Sequence, residues 1–298
     1  MIYDYYASLG NQKSCPKQIN ESGLCSGFVD GCTVWACQKK DEKDEARKCY
    51  IERAKVKTLQ IPTFLKFKPD FAHLPDPSWI GIEVKFTLNR AWHSKDDRPF
   101  HVLDNPVRKD RVFGVPFMSA ASWKGLLRWS CRMTAKPSLK DNLDNWNDPA
   151  WIVHLFGNEK GETETFNRGA LVFYPTWFNK VGFEVINPHD RERRAGTQPI
   201  YYEVVPAESV GLLQLLYAPS PNETTQIGIS RSEILNNLVD AIKDLLEEYG
   251  VSAKRTVGWG SAKIENWKWF NGKGQFNGDT VAQFKEEMDK QVGSGGSQ

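Results

Sequence analysis

Hydrophobic and polar residues alternate along the segment 79–92, WIGIEVKFTLNRAW. Ile80, Ile82, Val84 and Phe86 occupy every second position, which is the period of a strand with one buried face. Two apolar runs, GALVFYPTW and GLLQLLYAP, end in turn-forming residues and are typical of buried strands. A further strand is predicted where AKRTVGWGSAKIENWKWF leaves its glycine-containing basic loop.

Two segments show helical spacing instead. In 230–250, SRSEILNNLVDAIKDLLEEYG, Ser230 and Glu233 form a capping box and Gly250 is a natural stop. Its apolar stripe consists of Ile234, Leu235, Leu238, Ile242, Leu245, Leu246 and Tyr249. The segment 119–135 is predicted as a helix capped by Ser119 or Ser122. Its inward-facing residues are expected to be Trp123, Leu126, Leu127 and Cys131.

The order of elements is strand, helix, strands, helix, strand. It predicts an α+β fold with a four-stranded antiparallel sheet and two helices on one face. Residues 1–79 are set apart as a Cys-rich N-terminal extension, and residues 80–270 form the main domain with an inserted hairpin at about 176–200. Residues 271–298 are predicted as a C-terminal tail, whose end, VGSGGSQ, has the composition of a flexible linker.

Composition limits the class of protein. With 40% apolar and 26% charged residues, the chain is typical of a folded soluble protein. It has no run of about 18 apolar residues and no signal-peptide pattern, so we expect no membrane association and a cytoplasmic location. A net charge of +2 does not by itself indicate a polyanionic partner. Residues 105–132 are locally basic, however, because only Asp110 opposes Arg108, Lys109, Arg111, Lys124, Arg128 and Arg132.

Three motifs occur in a fixed order: LDNPVRKDRVFGVPFMSAASWKGLLR (103–128), LFGNEKGETETFNRGALVFYP (155–175) and KRTVGWGSAKI (254–264). Together they resemble the CRISPR-associated RAMP superfamily, and most closely the backbone subunit of type III effectors. The resemblance covers about residues 80–270 and implies an RRM-like ferredoxin fold. One departure is that Ser119–Ser122 reads Ser-Ala-Ala-Ser where the family has Pro-Gly-Ser-Ser.

The resemblance implies a guide-RNA-binding subunit of a type III CRISPR ribonucleoprotein that cleaves complementary single-stranded target RNA. Its partners would be guide RNA, target RNA and other RAMP and effector subunits. Asp104 would be the cleaving carboxylate, either as a base near the 2′-hydroxyl or as a ligand of Mg²⁺ or Mn²⁺. On the residues alone, Asp104 is equally an Asx-turn residue before Pro106. Its neighbours Asp96, Asp97 and Asp110 are expected to be solvated loop charges.

Three other functions stay open. The chain can be a capping or scaffold subunit that binds guide RNA without cutting it. It can be a guide-RNA-processing endoribonuclease with His93 or His189 as the base. It can also be an unrelated module whose Trp-rich surface binds protein.

The RNA-binding candidates form three groups. The predicted helix start offers backbone N–H groups for a phosphate, and a basic glycine-containing loop offers another cradle. An exposed hairpin tip is the third, as a wedge into a guide–target duplex. The alternatives are a capped surface helix, a tight turn and a salt-bridged loop. The candidate residues are Ser119, Ser122, Lys124 and Arg128; Lys254 and Arg255, beside Gly258 and Gly260; and His189, Arg191, Arg193 and Arg194.

Five of the six cysteines lie in residues 1–79. Cys25, Cys32, Cys37 and Cys49 are candidate ligands of a structural zinc ion that would tie down this extension. Their spacing is irregular and includes no Cys-x-x-Cys pair, so free thiols are the alternative.

Overall fold

The computed structural model describes residues 31–38, 40–55, 58–65, 69–97, 101–111, 113–135, 147–158, 168–188, 199–220, 229–271 and 274–293. Within these ranges an antiparallel sheet packs against helices, which confirms the predicted mixed class with an antiparallel sheet.

The main sheet has five strands in the described residues, in the spatial order β3-β7-β1-β8-β9. All of its pairings are antiparallel. Short ladders join β2 to β4 and β5 to β6. The strands are β1 (Ile80–Leu88), β2 (Phe117–Met118), β3 (Leu171–Phe173), β4 (Thr176–Trp177), β5 (Gly182–Ile186), β6 (Ile200–Val204), β7 (Val210–Tyr217), β8 (Ala262–Asn271) and β9 (Gly274–Gly278).

The helices of the described residues are α1 (Gly31–Gln38), α2 (Lys43–Lys55), α3 (Ala120–Ala135), α4 (Ala150–Phe156), α5 (Arg231–Asp244) and α6 (Val281–Gly293). The apolar alternation of β1 and the apolar stripes of α3 and α5 all lie in one hydrophobic core, as predicted. Ser230 Oγ accepts a hydrogen bond from the Glu233 N–H at 3.1 Å, so it caps α5 as expected. A π-helical turn, Leu245–Tyr249, extends α5 to Gly250, whose φ of +76° ends it.

The C-terminal part of the fold differs from the prediction. Residues assigned to a tail form the edge strand β9 and the helix α6, and Phe284 and Met288 of α6 are buried in the main core. Phe284 packs against Trp267 with ring centroids 5.1 Å apart. The prediction of a tail rested on the linker-like composition of VGSGGSQ. That composition begins only after Phe284 and Met288, so it does not describe the residues that pack. Residues 294–298 lie outside the described residues.

Several connections meet at one end of the sheet, where β1 ends and where β7 and β8 begin. The last residues of β1 pair with the first residues of β7 and of β8, for example Thr87 with Val210 and Leu88 with Ala262. The segment after β1 and the segments before β7 and β8 therefore lie side by side. At this end of the sheet, the Asp104 loop (residues 89–116) lies next to the β5–β6 pair and to the glycine loop (residues 251–261).

The described part of the N-terminal extension packs against this end of the sheet. Cys32 and Trp35 of α1 and Ala46 and Tyr50 of α2 form a small apolar cluster with residues 102–103 of the Asp104 loop. Burial of this cluster holds α2 against the loop, because apolar contact with the loop completes a core that the two short helices lack.

Candidate functional site

Asp104 lies at the surface of its loop. Its side chain is 64% exposed, whereas Val102 and Leu103 just before it are buried. The next residue, Asn105, accepts a hydrogen bond from the Glu203 N–H through its carbonyl oxygen at 3.0 Å. The buried pair on one side and the backbone bond on the other fix the loop while the carboxylate faces solvent.

Two cations from α2 face this carboxylate. Lys43 Nζ lies 3.7 Å from Asp104 Oδ1, and Arg47 Nη2 lies 3.7 Å from Asp104 Oδ2. Neither residue belongs to a motif that the sequence displays. The one available signal was the spacing of Lys43, Arg47 and Tyr50, which places them on one face of a helix. Nothing in the sequence indicates that this face meets Asp104.

A buried polar network lies beneath the loop. The Glu203 carboxylate accepts hydrogen bonds from the Tyr50 hydroxyl at 2.6 Å, from the Val107 N–H at 3.0 Å and from the Lys109 ammonium. Burial alone would raise the pKa of Glu203, but the charges of Lys109 and His101 and the hydrogen bonds outweigh it and hold the pKa below its usual range. The network therefore ties α2, the Asp104 loop and β6 together.

The candidate base His93 is buried in this region. Its side chain is only 2% exposed, and its Nδ1 lies 2.9 Å from the carbonyl oxygen of Glu203, to which it donates. Burial lowers the pKa of the His93 imidazole. A substrate hydroxyl has no access to it, so the arrangement gives a processing endoribonuclease based on His93 no support. The other histidine of that hypothesis, His189, lies outside the described residues.

The start of α3 carries one exposed cation. Ser119 Oγ accepts the Ser122 N–H at 3.2 Å and lies 2.9 Å from Ser122 Oγ, so Ser119 is the cap and both hydroxyls are engaged. Lys124, one turn further, is exposed. Of the four candidates at this helix start, Lys124 is the one that is exposed.

Arg128 is held by a neighbour instead. Its Nε donates to Asp148 Oδ2 at 2.7 Å, and Arg132 donates to both oxygens of the same carboxylate. Burial would raise the pKa of Asp148, but the two arginines outweigh it and lower that pKa. Lys109 is likewise buried with Glu203. Lys109, Arg128 and Arg132 thus have carboxylate partners. The local basic patch predicted from 105–132 therefore carries less uncompensated positive charge than its six cations suggest.

The carboxylates around Asp104 also differ from the prediction. Asp97 is exposed, as expected, but Asp96 is buried at 8% exposure. Asp110 is partly buried, and its Oδ1 accepts the Phe113 N–H at 2.9 Å. The prediction of solvated loop charges is therefore wrong for Asp96, because the loop folds back on itself through a hydrogen bond from the Asp96 N–H to the carbonyl oxygen of Pro106.

The glycine loop joins the base of the Asp104 loop. The Gly260 N–H donates to the carbonyl oxygen of Ala91 at 2.9 Å, and the Ala253 N–H donates to that of His93, also at 2.9 Å. Lys254 Nζ lies 4.9 Å from the centre of the Tyr202 ring in β6. The structure thus brings Lys254 and the Asp104 loop to the same β6 strand, as two predicted parts of one site.

Arg255, in the glycine loop, packs against α3. Its guanidinium carbon is 3.9 Å from the centre of the Trp129 ring, which is a cation–π contact on the helix surface. The structure does not join Arg255 to Asp104 by any contact among the described residues. The candidates of the hairpin tip, His189, Arg191, Arg193 and Arg194, lie outside the described residues.

The cysteines of the described residues differ in burial. Cys32 is buried, Cys37 is exposed and Cys49 is partly buried. The fourth candidate, Cys25, lies outside the described residues. In the described ranges no three His, Cys, Asp or Glu side chains are grouped where a metal ion would fit. The zinc site therefore stays a prediction.

None of the helices that the structure describes is long and apolar enough to cross a membrane.

Comparison with solved structures finds similar folds at low sequence identity. A "Type III-B Cmr-beta bound to cognate target RNA", determined by cryo-EM, is 16% identical with a TM-score of 0.47, covering 65% of this chain and 61% of that chain. A "Csm3-Csm4 subcomplex in the type III-A CRISPR-Cas interference complex" is 17% identical with a TM-score of 0.45, covering 71% of this chain and 95% of that chain. The match thus spans less than two thirds of the first structure's chain. No curated protein matches the sequence.

A family comparison gives the firmer result. The sequence model of the RAMP superfamily matches residues 72–263. This range contains all of the first two motifs that carried the resemblance and all but the last residue of the third. Because the match spans more than half of the sequence, the chain belongs to the RAMP superfamily.

Proposed function

We propose that this chain is a guide-RNA-binding subunit of a type III CRISPR ribonucleoprotein and that Asp104 cleaves target RNA paired to the guide. The observation that carries the proposal is the exposed Asp104 carboxylate, held on a braced loop beside Lys43 and Arg47. Family membership supports the RNA-binding part, because the first motif covers the end of the Asp104 loop and the start of α3, and the third covers most of the glycine loop. In such a complex, base pairing supplies sequence specificity and the protein holds the RNA backbone.

The fold supports the same assignment. The chain runs β1, α3, β3, β7, α5, β8, and the four strands lie in the order β3-β7-β1-β8. This is the order of a split βαβ fold, so we propose an RRM-like ferredoxin core with β9 and α6 added at its edge. The RNA backbone would then pass over the exposed loops at the end of the sheet where β1 ends.

The chemistry is a transesterification within the target strand. Asp104 accepts the proton of a ribose 2′-hydroxyl while the 2′-oxygen forms a bond to the adjacent phosphorus. The bond from phosphorus to the 5′-oxygen breaks, and that oxygen takes up a proton. The products are a 2′,3′-cyclic phosphate and a 5′-hydroxyl, and no oxidant or reductant is needed. A positioned base contributes about 100-fold or more to such a step.

A divalent metal is part of the proposal in a limited sense. Mg²⁺ or Mn²⁺ commonly binds one carboxylate together with substrate phosphates and water. Asp104 is an exposed carboxylate with an accessible side chain, so it would be the protein ligand, and the metal would neutralise phosphate charge.

The test is cleavage by the ribonucleoprotein isolated with its neighbouring subunits. Asp104→Ala is expected to lower the single-turnover rate of target cleavage about 100-fold while guide and target RNA stay bound. Asp97→Ala is the matched control, since Asp97 is an exposed carboxylate of the same loop. Unchanged cleavage by Asp104→Ala would overturn the catalytic assignment, and absence of RNA from the isolated complex would overturn the whole proposal.

One observation favours a second candidate, a scaffold subunit that binds guide RNA only. Both oxygens of Asp104 face a cation, and an exposed carboxylate between two cations is also the arrangement of a structural surface salt bridge. The same experiment separates the two functions, because a scaffold subunit would retain full cleavage by the complex after Asp104→Ala.

A further inference from the structure

Helix α2 presents one face to the Asp104 loop. Lys43, Arg47 and Tyr50 lie at i, i+4 and i+7, so their side chains leave the helix on the same side. The first two reach Asp104, and the third reaches Glu203. The region matched by the superfamily begins at residue 72, so this face belongs to a part of the chain beyond the match.

The Arg47 guanidinium has neighbours on three sides. Its side chain is 14% exposed, its Nη1 lies 3.0 Å from Asp44 Oδ1, and its guanidinium carbon lies 5.3 Å from the centre of the Tyr201 ring in β6. A guanidinium fixed on three sides can hold a carboxylate in one orientation. Its position relative to Asp104 is maintained by the packing of α2 on residues 102–103.

Lys43 differs in exposure. Its side chain is 50% exposed, and it contacts the other oxygen of Asp104 at 3.7 Å. A pair this exposed contributes little to stability. The ammonium on its flexible stem is free to exchange the Asp104 oxygen for a nearby anion without disturbing the fold.

An RNA-cleaving site built on one carboxylate has an electrostatic difficulty. The scissile phosphodiester is anionic, so Asp104 repels it, and a second negative charge develops on its non-bridging oxygens as the 2′-oxygen attacks. A cation beside the carboxylate offsets both effects, and such contacts act most strongly when they are placed in advance.

We propose that α2 supplies the cationic half of the cleavage site: Lys43 contacts a non-bridging oxygen of the scissile phosphate, and Arg47 positions Asp104. This inference rests on the proposed function of Asp104. It assigns to the N-terminal extension a direct part in recognising RNA phosphate.

The test uses the assembled ribonucleoprotein and a target RNA with or without a single phosphorothioate at the scissile position. Lys43→Ala is expected to lower the single-turnover cleavage rate about 100-fold at saturating target, with target affinity nearly unchanged. Lys43→Arg is expected to recover much of the rate, because it restores the cation. Lys48→Ala is the matched control, since Lys48 is an exposed lysine of the same helix.

The phosphorothioate distinguishes contact from a structural effect. If Lys43 touches the substituted oxygen, the sulfur and Lys43→Ala are not additive, so sulfur slows the variant much less than it slows the unaltered complex. Arg47→Ala is expected to slow cleavage with an unchanged sulfur effect, because Arg47 acts through Asp104. Arg47→Lys provides a second variant in case Arg47→Ala loosens α2.

The two proposals fail in different ways. If Asp104→Ala stops cleavage but Lys43→Ala cleaves normally, the role of α2 is overturned and the function of Asp104 stands. Equal losses of affinity and rate in Lys43→Ala, or full additivity with sulfur, also overturn the contact with the scissile phosphate. If Asp104→Ala itself cleaves normally, the failure belongs to the proposed function.

Discussion

Lys109 and Glu203 form an ion pair although they are 94 residues apart in the chain. Both side chains are almost fully buried, at 4% and 0% exposure. Charges at such a position need partners, since an uncompensated buried charge is strongly destabilising. Here the pair joins the Asp104 loop to β6, and the Tyr50 hydroxyl brings α2 to the same carboxylate.

Removal of one member of this pair is expected to destabilise the protein severely. Lys109→Met leaves the Glu203 carboxylate buried without its cation, and we expect a loss of about 3–5 kcal/mol in the free energy of unfolding. Tyr50→Phe removes the hydrogen bond that the hydroxyl donates to Glu203 and the one that it accepts from Lys109, and is expected to cost about 1.5–3 kcal/mol. Urea denaturation monitored by tryptophan fluorescence measures both.

A double variant provides the control. Lys109→Met combined with Glu203→Leu removes both charges, so its cost is expected to be clearly less than the sum of the single costs. Additive losses would show that the two side chains do not stabilise each other.

The burial of His93 predicts a pH dependence of stability. Burial lowers its pKa in the folded protein below the ordinary value of 6.5. Between the folded pKa and 6.5 the unfolded chain binds a proton that the folded protein does not. The free energy of unfolding therefore rises as pH increases through this window. As pH falls through it, protonation of the unfolded chain lowers the stability of the folded protein.

His93→Asn tests this dependence, because its amide can still donate to the Glu203 carbonyl but does not titrate. Thermal unfolding between pH 5 and 7.5 should show a weaker pH dependence for His93→Asn than for the unaltered protein. Identical profiles would mean that His93 is protonated equally in both states.

The sequence predicted the local elements well. The alternation of Ile80, Ile82, Val84 and Phe86 identified the central strand, and Ser230 with Gly250 marked the two ends of a helix. These features depend on neighbours within a few residues, so the pattern contains them. Three motifs in order were enough to predict the superfamily.

The surroundings of Asp104 could not be predicted in the same way. Lys43 and Arg47 are separated from Asp104 by more than fifty residues, and Glu203 lies a further hundred residues on. Their contacts arise only when the end of β1 brings the loop, β6 and α2 together. Charge in the sequence was also misleading: Lys109 and Arg128 appear basic and available, but each has a carboxylate partner from a distant segment.

Lys124 and Arg128 should therefore respond differently to mutation although they lie one turn apart on α3. Lys124 is exposed, so Lys124→Ala is expected to weaken RNA binding and to reduce the slope of log affinity against log salt by about 1. The melting temperature of the Lys124→Ala variant should equal that of the unaltered protein. Filter binding of the ribonucleoprotein subunit to single-stranded RNA at 50–300 mM salt, on the order of the physiological range, measures the slope.

Arg128→Ala is the matched comparison. It removes one of the two arginines that hold buried Asp148, so we expect a lower melting temperature and a salt slope close to that of the unaltered protein. A normal melting temperature with a reduced slope would instead place Arg128 on the RNA and contradict the role that its ion pair indicates.

Gly258 and Gly260 differ in what surrounds them, although both have positive φ, +84° and +77°. A Cβ on Gly258 would meet open space, so Gly258→Ala is expected to cost only the conformational strain of about 1–2 kcal/mol. A Cβ on Gly260 would lie 2.5 Å from the Ser252 backbone nitrogen, which cannot move aside without breaking the loop. Gly260→Ala should therefore be the more destabilising variant in urea denaturation.

The same pair tests whether the glycine loop supports the Asp104 loop. The Gly260 N–H bonds to Ala91, two residues before His93, so displacement of Gly260 would move the start of that loop. We expect Gly260→Ala to slow target cleavage by the assembled complex at a temperature where it remains folded, and Gly258→Ala to slow it little. Equal rates for the two variants would show that the hydrogen bonds at Ala91 and His93 do not determine where Asp104 lies.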